Sequence, residues 1–261
     1  MIAVMHQDGF QVVSKKKSSR PKLTSNKQHD RDSEPFDSES VLRKVFIAKK
    51  EVEESQFWEH FTSAIDSTLQ TGSEGGKVKE IVCFGLGSIS SSKTSQYQLA
   101  LLLKLTQTYS CRAEVYDPIF NCDEKELLTG LGLFISPENC EGRKPANSCY
   151  TLFILPHCPR ELSNNLLFAN WTVELLHSCL IVGNSFEKLC LHTPKRLLKN
   201  YNYLLRIERI AQELAVNNNF HYTDIFNDLS IHYFPRQALE GVEADFWNNP
   251  QPIYPEDTEL I

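Results

Sequence analysis

Apolar positions along the chain follow two rhythms. From about Ser40 to Gln70, Val41, Phe46, Val52, Phe57, Trp58, Phe61 and Ile65 recur close to every third or fourth place, with charges between them. That spacing predicts a leading helix, or two, packed outside the main sheet. The break Gly72-Ser73-Glu74-Gly75-Gly76 ends it. Short apolar runs then appear, Ile81 to Phe84, Leu133 to Ile135, Tyr150 to Leu155 and Leu180 to Val182, and Ala113-Glu114-Val115-Tyr116, closed by Asp117-Pro118, reads as the second strand. Runs of this length, closed by Gly or Pro, predict strands buried on both faces of a parallel sheet. Helical text lies between them. Ser95 and Gln98 have the spacing of a capping box, followed by the apolar stretch Leu99 to Leu103. Residues around Glu124 to Leu131 suggest a second helix, and Leu162, Leu166, Leu167 and Trp171 a third. A long amphipathic helix is predicted from about Arg196 to Val216, through Leu197, Tyr201, Leu204, Leu205, Ile207, Ile210 and Leu214. The last strand falls at Tyr222 to Phe226 or at Ser230 to Tyr233, and the end, with Trp247, Pro250, Pro252 and Pro255, reads as extended. Strands alternating with helices predict an α/β fold with a doubly wound, mostly parallel, Rossmann-like sheet.

Polar clusters recur where the apolar runs stop: Gly85-Leu86-Gly87-Ser88, Asp117, Pro156-His157-Cys158, Gly183-Asn184-Ser185, and Asp228 to His232. Parallel strands would gather all five on one edge, where open α/β sheets bind ligands. Amides at a helix N-terminus favour a phosphate there. An acid at the end of the second strand, here Asp117, is placed to bond a ribose hydroxyl. Gly85, Gly87, Ser88, Asp117, His157 and Asn184 are therefore the candidate cofactor-binding residues. The ligand types in view are a nucleotide, S-adenosylmethionine and haem.

Each motif also departs from its pattern. Gly85-Leu86-Gly87 lacks a third glycine, with Ser90 in its place, so a tight turn without a ligand stays open beside the pocket reading. Gly87 to Thr94 misses a P-loop because Ser92 replaces the second glycine. Pro156-His157-Cys158 does not match the Asn/Asp-Pro-Pro-Tyr motif of some methyltransferases. Gly183-Asn184-Ser185 resembles a nucleophile elbow, but Glu187 replaces the closing glycine; a hydrolase would enlist Ser185, His232 and Asp228. Cys158 is a candidate haem ligand through its thiolate, against a simple turn after a buried strand. No catalytic constellation emerges, and the reading leans away from an enzyme.

Composition narrows the class. With 261 residues, 41% apolar and 23% charged, there is room for one α/β domain and a tail. The formal net charge of −6 gives no reason to expect nucleic-acid binding by the folded domain. Residues 1–38 are poor in large apolar groups and carry Lys15, Lys16, Lys17, Arg20 and Lys22, which predicts a disordered basic tail. The folded domain is expected over 39–261, with its core motif over 79–186. The eight cysteines include no CxxC pair, which fits reduced thiols and no metal site. No run of about 18 apolar residues suggests a membrane span, and no secretory leader is apparent.

The segments VCFGLGSISSSKTSQYQLALLL, VYDPIF, TLFILPHCP, IVGNSF, FNDLSIHYFP and FWNNPQPIYPEDTELI, in this order, resemble the Sensitivity-to-Red-light-Reduced family of SRR-like domain proteins. The resemblance runs from about Ser40 to Ile261 and leaves out the basic tail. It implies regulation of circadian clock gene expression and of haem biosynthesis, protein partners, and a cytoplasmic or nuclear location. It carries over no catalytic residue.

Overall fold

The computed structural model describes residues 36–72, 76–147 and 150–254. The basic tail, most of the glycine break, Cys149 and the end beyond Tyr254 lie outside the described residues.

The leading helical text forms two helices, α1 (Ser38–Glu53) and α2 (Gln56–Gly72). Asp37 caps the first by accepting the Ser40 amide at 2.9 Å. Alternation then takes over: β1 (Val78–Phe84), α3 (Lys93–Tyr109), β2 (Arg112–Tyr116), α4 (Cys122–Gly130), β3 (Phe134–Ile135), β4 (Tyr150–Leu155), α5 (Arg160–Ala169), α6 (Val173–His177), β5 (Cys179–Asn184) and α7 (Phe186–Leu191). The C-terminal part adds a 3-10 turn at Leu198–Tyr201, α8 (Asn202–Ile207), β6 (Gln212–Ala215), β7 (Leu229–Tyr233) and α9 (Arg236–Glu240). One further 3-10 turn spans Ala244–Trp247. No described helix is long and apolar enough to cross a membrane.

The seven strands make one sheet in the order β3-β2-β1-β4-β5-β7-β6. β1 to β5 run parallel, while β7 runs antiparallel between β5 and β6. The chain leaves β1 to one side for β2 and β3 and to the other for β4 and β5, so β1 and β4 flank the switch point of a doubly wound sheet.

Strand periodicity divides the interior into two cores. Ile81, Cys83, Leu152, Ile154, Leu180 and Val182 point to the face covered by α1, α2 and α3. Val82, Phe84, Phe153, Leu155, Cys179 and Ile181 point to the face covered by α5 and α8. Successive residues thus serve opposite cores, which is why these strands read as unbroken apolar runs. α3 lies almost wholly inside, with Ser95 to Leu105 buried.

Three expectations need correction. The helix after β1 begins at Lys93, because Ser92 in extended backbone accepts the Ser95 amide at 3.2 Å; the cap is Ser92 and not Ser95. The long helix over 196–216 does not form. Tyr201, Tyr203, Leu204 and Ile207 are buried, but after Ile207 the chain turns and Gln212 to Ala215 become an exposed edge strand on β7. Pairing with β7 overrides the helical preference of Gln-Glu-Leu-Ala, since tertiary context outweighs a propensity of a few tenths of a kcal/mol. Finally, the Asp228 cluster does not follow a parallel strand. Only Asp228 precedes antiparallel β7, which brings it to the same edge from the opposite direction, while Ser230 and His232 lie within the strand.

Candidate functional site

The register places the strand-end clusters along one rim. Phe84 pairs with Tyr116, Leu155 with Gly183, and Asn184 with Leu229. Gly85, Asp117, Pro156, Asn184 and Asp228 therefore leave the sheet side by side. Within this rim the side chains sort into two groups.

The first group surrounds the turn after β1. Gly85 and Gly87 both adopt left-handed backbone, at φ 69° and 78°, a conformation that costs other L-residues about 1–2 kcal/mol. The buried Asp117 carboxylate closes the turn: Oδ2 accepts the Gly87 amide at 2.8 Å and Oδ1 the Ile119 amide at 3.0 Å. Glu124, 1% exposed, holds the following loop through Oε1, which accepts the Ser88 hydroxyl at 2.8 Å, the Ser90 amide at 2.9 Å and the Ser90 hydroxyl at 2.8 Å. Burial alone would raise its pKa, but the Ser90, Ser88 and Asn121 donors outweigh burial and hold it below the ordinary carboxyl value. Glu124 is also the third residue of α4, whose capping box with Asn121 fixes its backbone. Sequence reading missed this residue. The available signal was the Asn121-x-x-Glu124 spacing, which marks a helix start but not a partner 34 positions away.

The second group lies where β4, β5 and β7 end. Arg160, Asn184, Ser185, Lys188, Leu189, His192 and Asp228 line a cleft of about 280 Å³. Asn184 donates from Nδ2 to the Cys158 carbonyl at 2.8 Å, and Lys188 pairs with Asp228 at 2.7 Å. Arg160 donates to the Thr193 hydroxyl at 2.7 Å and lies over the Tyr201 ring, 5.6 Å from its centre. Lys188 and His192 stand four positions apart on α7 and at its end, whereas Arg160 belongs to α5, and only the fold brings it to them.

The remaining candidates join the two groups or stand apart. Cys158 is 3% exposed, and its Sγ donates to the Phe84 carbonyl at 3.3 Å, tying the end of β4 to that of β1. Burial pushes its thiol pKa well above the ordinary value, so it stays protonated. A buried neutral thiol bonded to a carbonyl does not fit a haem thiolate ligand. His157 is exposed, adopts left-handed backbone at φ 53°, and approaches the Ile225 carbonyl at 3.4 Å. The structure thus brings Gly85, Gly87, Ser88 and Asp117 together in one group and places Asn184 in the other. His157 lies outside the cleft's lining but close enough to the second group for its ring to act on Asp228.

The hydrolase arrangement does not assemble. His232 is fully buried, its Nε2 lying 3.2 Å from Glu213 and 3.3 Å from the Phe186 amide, while Asp228 is engaged by Lys188. Ser185 caps α7 by accepting the Lys188 amide at 3.1 Å. Glu213 reaches a pKa of about 2: burial opposes this, but hydrogen bonds from His232, Ser185 and Ser230 and the charge of His232 prevail. Among the described residues, no group of three or more His, Cys, Asp or Glu side chains is arranged to hold a metal ion.

The family model described as the SRR1 domain matches residues 49–233. An SRR1-like protein of Drosophila melanogaster is 32% identical over 262 residues, covering 97% of this chain and 93% of its own length. The protein SENSITIVITY TO RED LIGHT REDUCED 1 of Arabidopsis thaliana is 28% identical over 221 residues, covering 80% of this chain and 79% of its own. Among solved structures, the T. thermophilus 16S rRNA methyltransferase RsmC, in complex with AdoMet and guanosine, aligns with a TM-score of 0.31 at 9% identity, over 65% of this chain and 38% of its own. That superposition is too loose to bear on function.

Proposed function

This chain belongs to the SRR1 domain family, and we propose that it is a regulatory protein that acts by binding a protein partner or a small ligand at the rim of its sheet. One observation carries this reading. The polar groups at the turn after β1 are engaged with one another, Asp117 with the Gly87 amide and Glu124 with Ser88 and Ser90. A catalytic site needs groups aimed at a reacting atom. Here they brace a loop, and the open cleft lies beside it at Asn184.

The finer role we propose is in circadian clock gene expression and haem biosynthesis, in the cytoplasm and nucleus. The name of the Arabidopsis relative, with its sensitivity to red light, supports the light-linked half of that role. For the haem half, we place the protein upstream as a regulator and not as a haem carrier through Cys158, whose buried thiol is unsuited to ligation.

A second reading, an enzyme with an S-adenosylmethionine-type cofactor, is favoured by one feature: two left-handed glycines beside an acid at the switch point. A thermal-shift screen of the full chain against nucleotides, S-adenosylmethionine and haem separates the two. A ligand at a hundred times its Kd stabilises by about 2.7 kcal/mol. Stabilisation by S-adenosylmethionine that disappears in Gly87→Val and Asp117→Ala, with both variants still folded by circular dichroism, favours the enzyme. No shift with any of these, together with a stoichiometric partner captured by wild type and lost on Lys188→Glu, supports the regulator.

A further inference from the structure

We propose that the cleft at the ends of β4, β5 and β7 is a binding site for a small phosphorylated molecule, whose phosphoryl group is held by Arg160, Lys188 and His192. The inference rests on reading the rim as a binding surface and adds the chemistry of the ligand.

Charge comes first. The cleft is lined by the permanent cations Arg160 and Lys188 and by His192, with Asp228 the one carboxylate in its lining; Glu213 and Glu187 act on Lys188 from outside the lining. The lining groups come from the start of α5, from α7 and its C-terminal end, and from the residue before β7, so only the assembled rim joins them.

Arg160 is also positioned. Thr193, 5% exposed, donates to the Leu189 carbonyl at 2.6 Å and accepts from Nη1 of Arg160, while Tyr201 supports the guanidinium face. Among the described residues, no carboxylate lies within ion-pair distance of Arg160. A half-buried guanidinium, oriented by neutral partners and lacking a counter-ion, presents its remaining N–H donors to whatever enters the cleft. Such a fork matches an oxyanion with two or three oxygens. Lys188 adds a mobile point charge. Its partner Asp228 is more than half exposed, so the pair exchanges at little cost for a more highly charged anion.

Size limits the ligand. A space of about 280 Å³ falls below the roughly 300–1,000 Å³ of sites for drug-sized molecules. A phosphate ester of a few carbon atoms fits within it. The same charge argument excludes the turn after β1 as the phosphate site, because Asp117 and Glu124 already occupy its donors as anions.

The test is calorimetric titration of the full chain with inorganic phosphate and with glycerol 3-phosphate, alongside acetate and succinate. Both phosphates are expected to bind, and the carboxylates to bind at least about tenfold more weakly. Lys188→Gln, at an exposed position that should not affect folding, weakens phosphate binding several-fold; Arg160→Gln weakens it by about tenfold or more, the loss typical of a charge-assisted contact. Asp228→Asn strengthens it, an effect that a merely structural role would not produce. Succinate binding as tightly as phosphate overturns the ligand class. Absence of phosphate binding by wild type overturns the site. If partner capture is then still lost on Lys188→Glu, the reading of the rim as a binding surface stands without this ligand; if capture is unaffected, both fall.

Discussion

Replacing Gly87 by alanine is the sharpest test of how the turn after β1 is held. At φ 78° an L-residue is strained by about 1–2 kcal/mol. The added Cβ would also lie 2.4 Å from the Ser95 hydroxyl oxygen, closer than real contacts allow, and Ser95 is the only residue it meets within 4 Å among those described. The overlap is relieved either by the Ser95 hydroxyl leaving its rotamer or by the turn shifting, which pulls the Gly87 amide from Asp117, 2.8 Å away, where a bond to a charged group contributes about 1.5–3 kcal/mol. Whichever route is taken, Gly87→Ala should destabilise by about 2–4 kcal/mol, or roughly 5–15 °C in Tm for a chain of this size. Urea unfolding followed by circular dichroism and by the fluorescence of buried Trp171 measures it. Ser95→Ala in the same chain removes the overlap and should leave only the strain of about 1–2 kcal/mol. A single variant within about 0.5 kcal/mol of wild type would refute the argument, because that is the effect of an unremarkable surface change. So would a double variant no more stable than Gly87→Ala.

Three further outcomes follow from hydrogen-bonded polar groups. Glu124→Gln removes the charge that collects Ser88 and Ser90 and should cost about 1–3 kcal/mol in urea unfolding, with faster hydrogen exchange confined to the loop from Ser88 to Ser92. Tyr254→Phe leaves fully buried Asn164 and Asn165 without the hydroxyl they bond at 2.8 and 2.9 Å; a loss of about 1–3 kcal/mol and earlier proteolytic release of the C-terminal segment are expected. Glu213, whose pKa falls from 4.5 to about 2, contributes stability that is fully present above 4.5 and is lost as pH falls toward 2. Denaturant midpoints measured across that window should fall less steeply in Glu213→Gln than in wild type.

What the sequence could convey follows from the range of each interaction. β1, β4 and β5 were legible because burial on both faces leaves an unbroken apolar run, and β2 because Ala113 and Val115 alternate with polar neighbours before Pro118, signals contained in each segment. The turn at Gly85 and Gly87 was legible for the same local reason. β6 was not: Gln212 to Ala215 has no strand signal of its own and is extended because β7 offers it an edge. Asp117 was noticed as an acid at a strand end, yet its partners, the Gly87 and Ile119 amides, turn a presumed ligand contact into a brace. Glu124 and Arg160 escaped notice because their roles depend on residues more than thirty positions away, Ser90 for one and Thr193 for the other.

The division of charge along the rim is the consequence that reaches furthest. Two carboxylates, Asp117 and Glu124, sit under the loop after β1, and two permanent cations, Arg160 and Lys188, sit in the cleft at β5. Cys158 links the two halves, its Sγ on the Phe84 carbonyl and its own carbonyl on Asn184, so they belong to one braced edge. Near a protein surface, opposite charges about 4 Å apart attract by about 4 kcal/mol and like charges repel as much. An anion approaching this rim is therefore driven from the glycine turn toward Arg160, the reverse of the usual nucleotide arrangement, in which the glycine turn takes the phosphate. The sheet is doubly wound, and at its glycine turn Asp117 and Glu124 accept the Gly87 and Ser90 amides, donors that an entering phosphate would have to win from them.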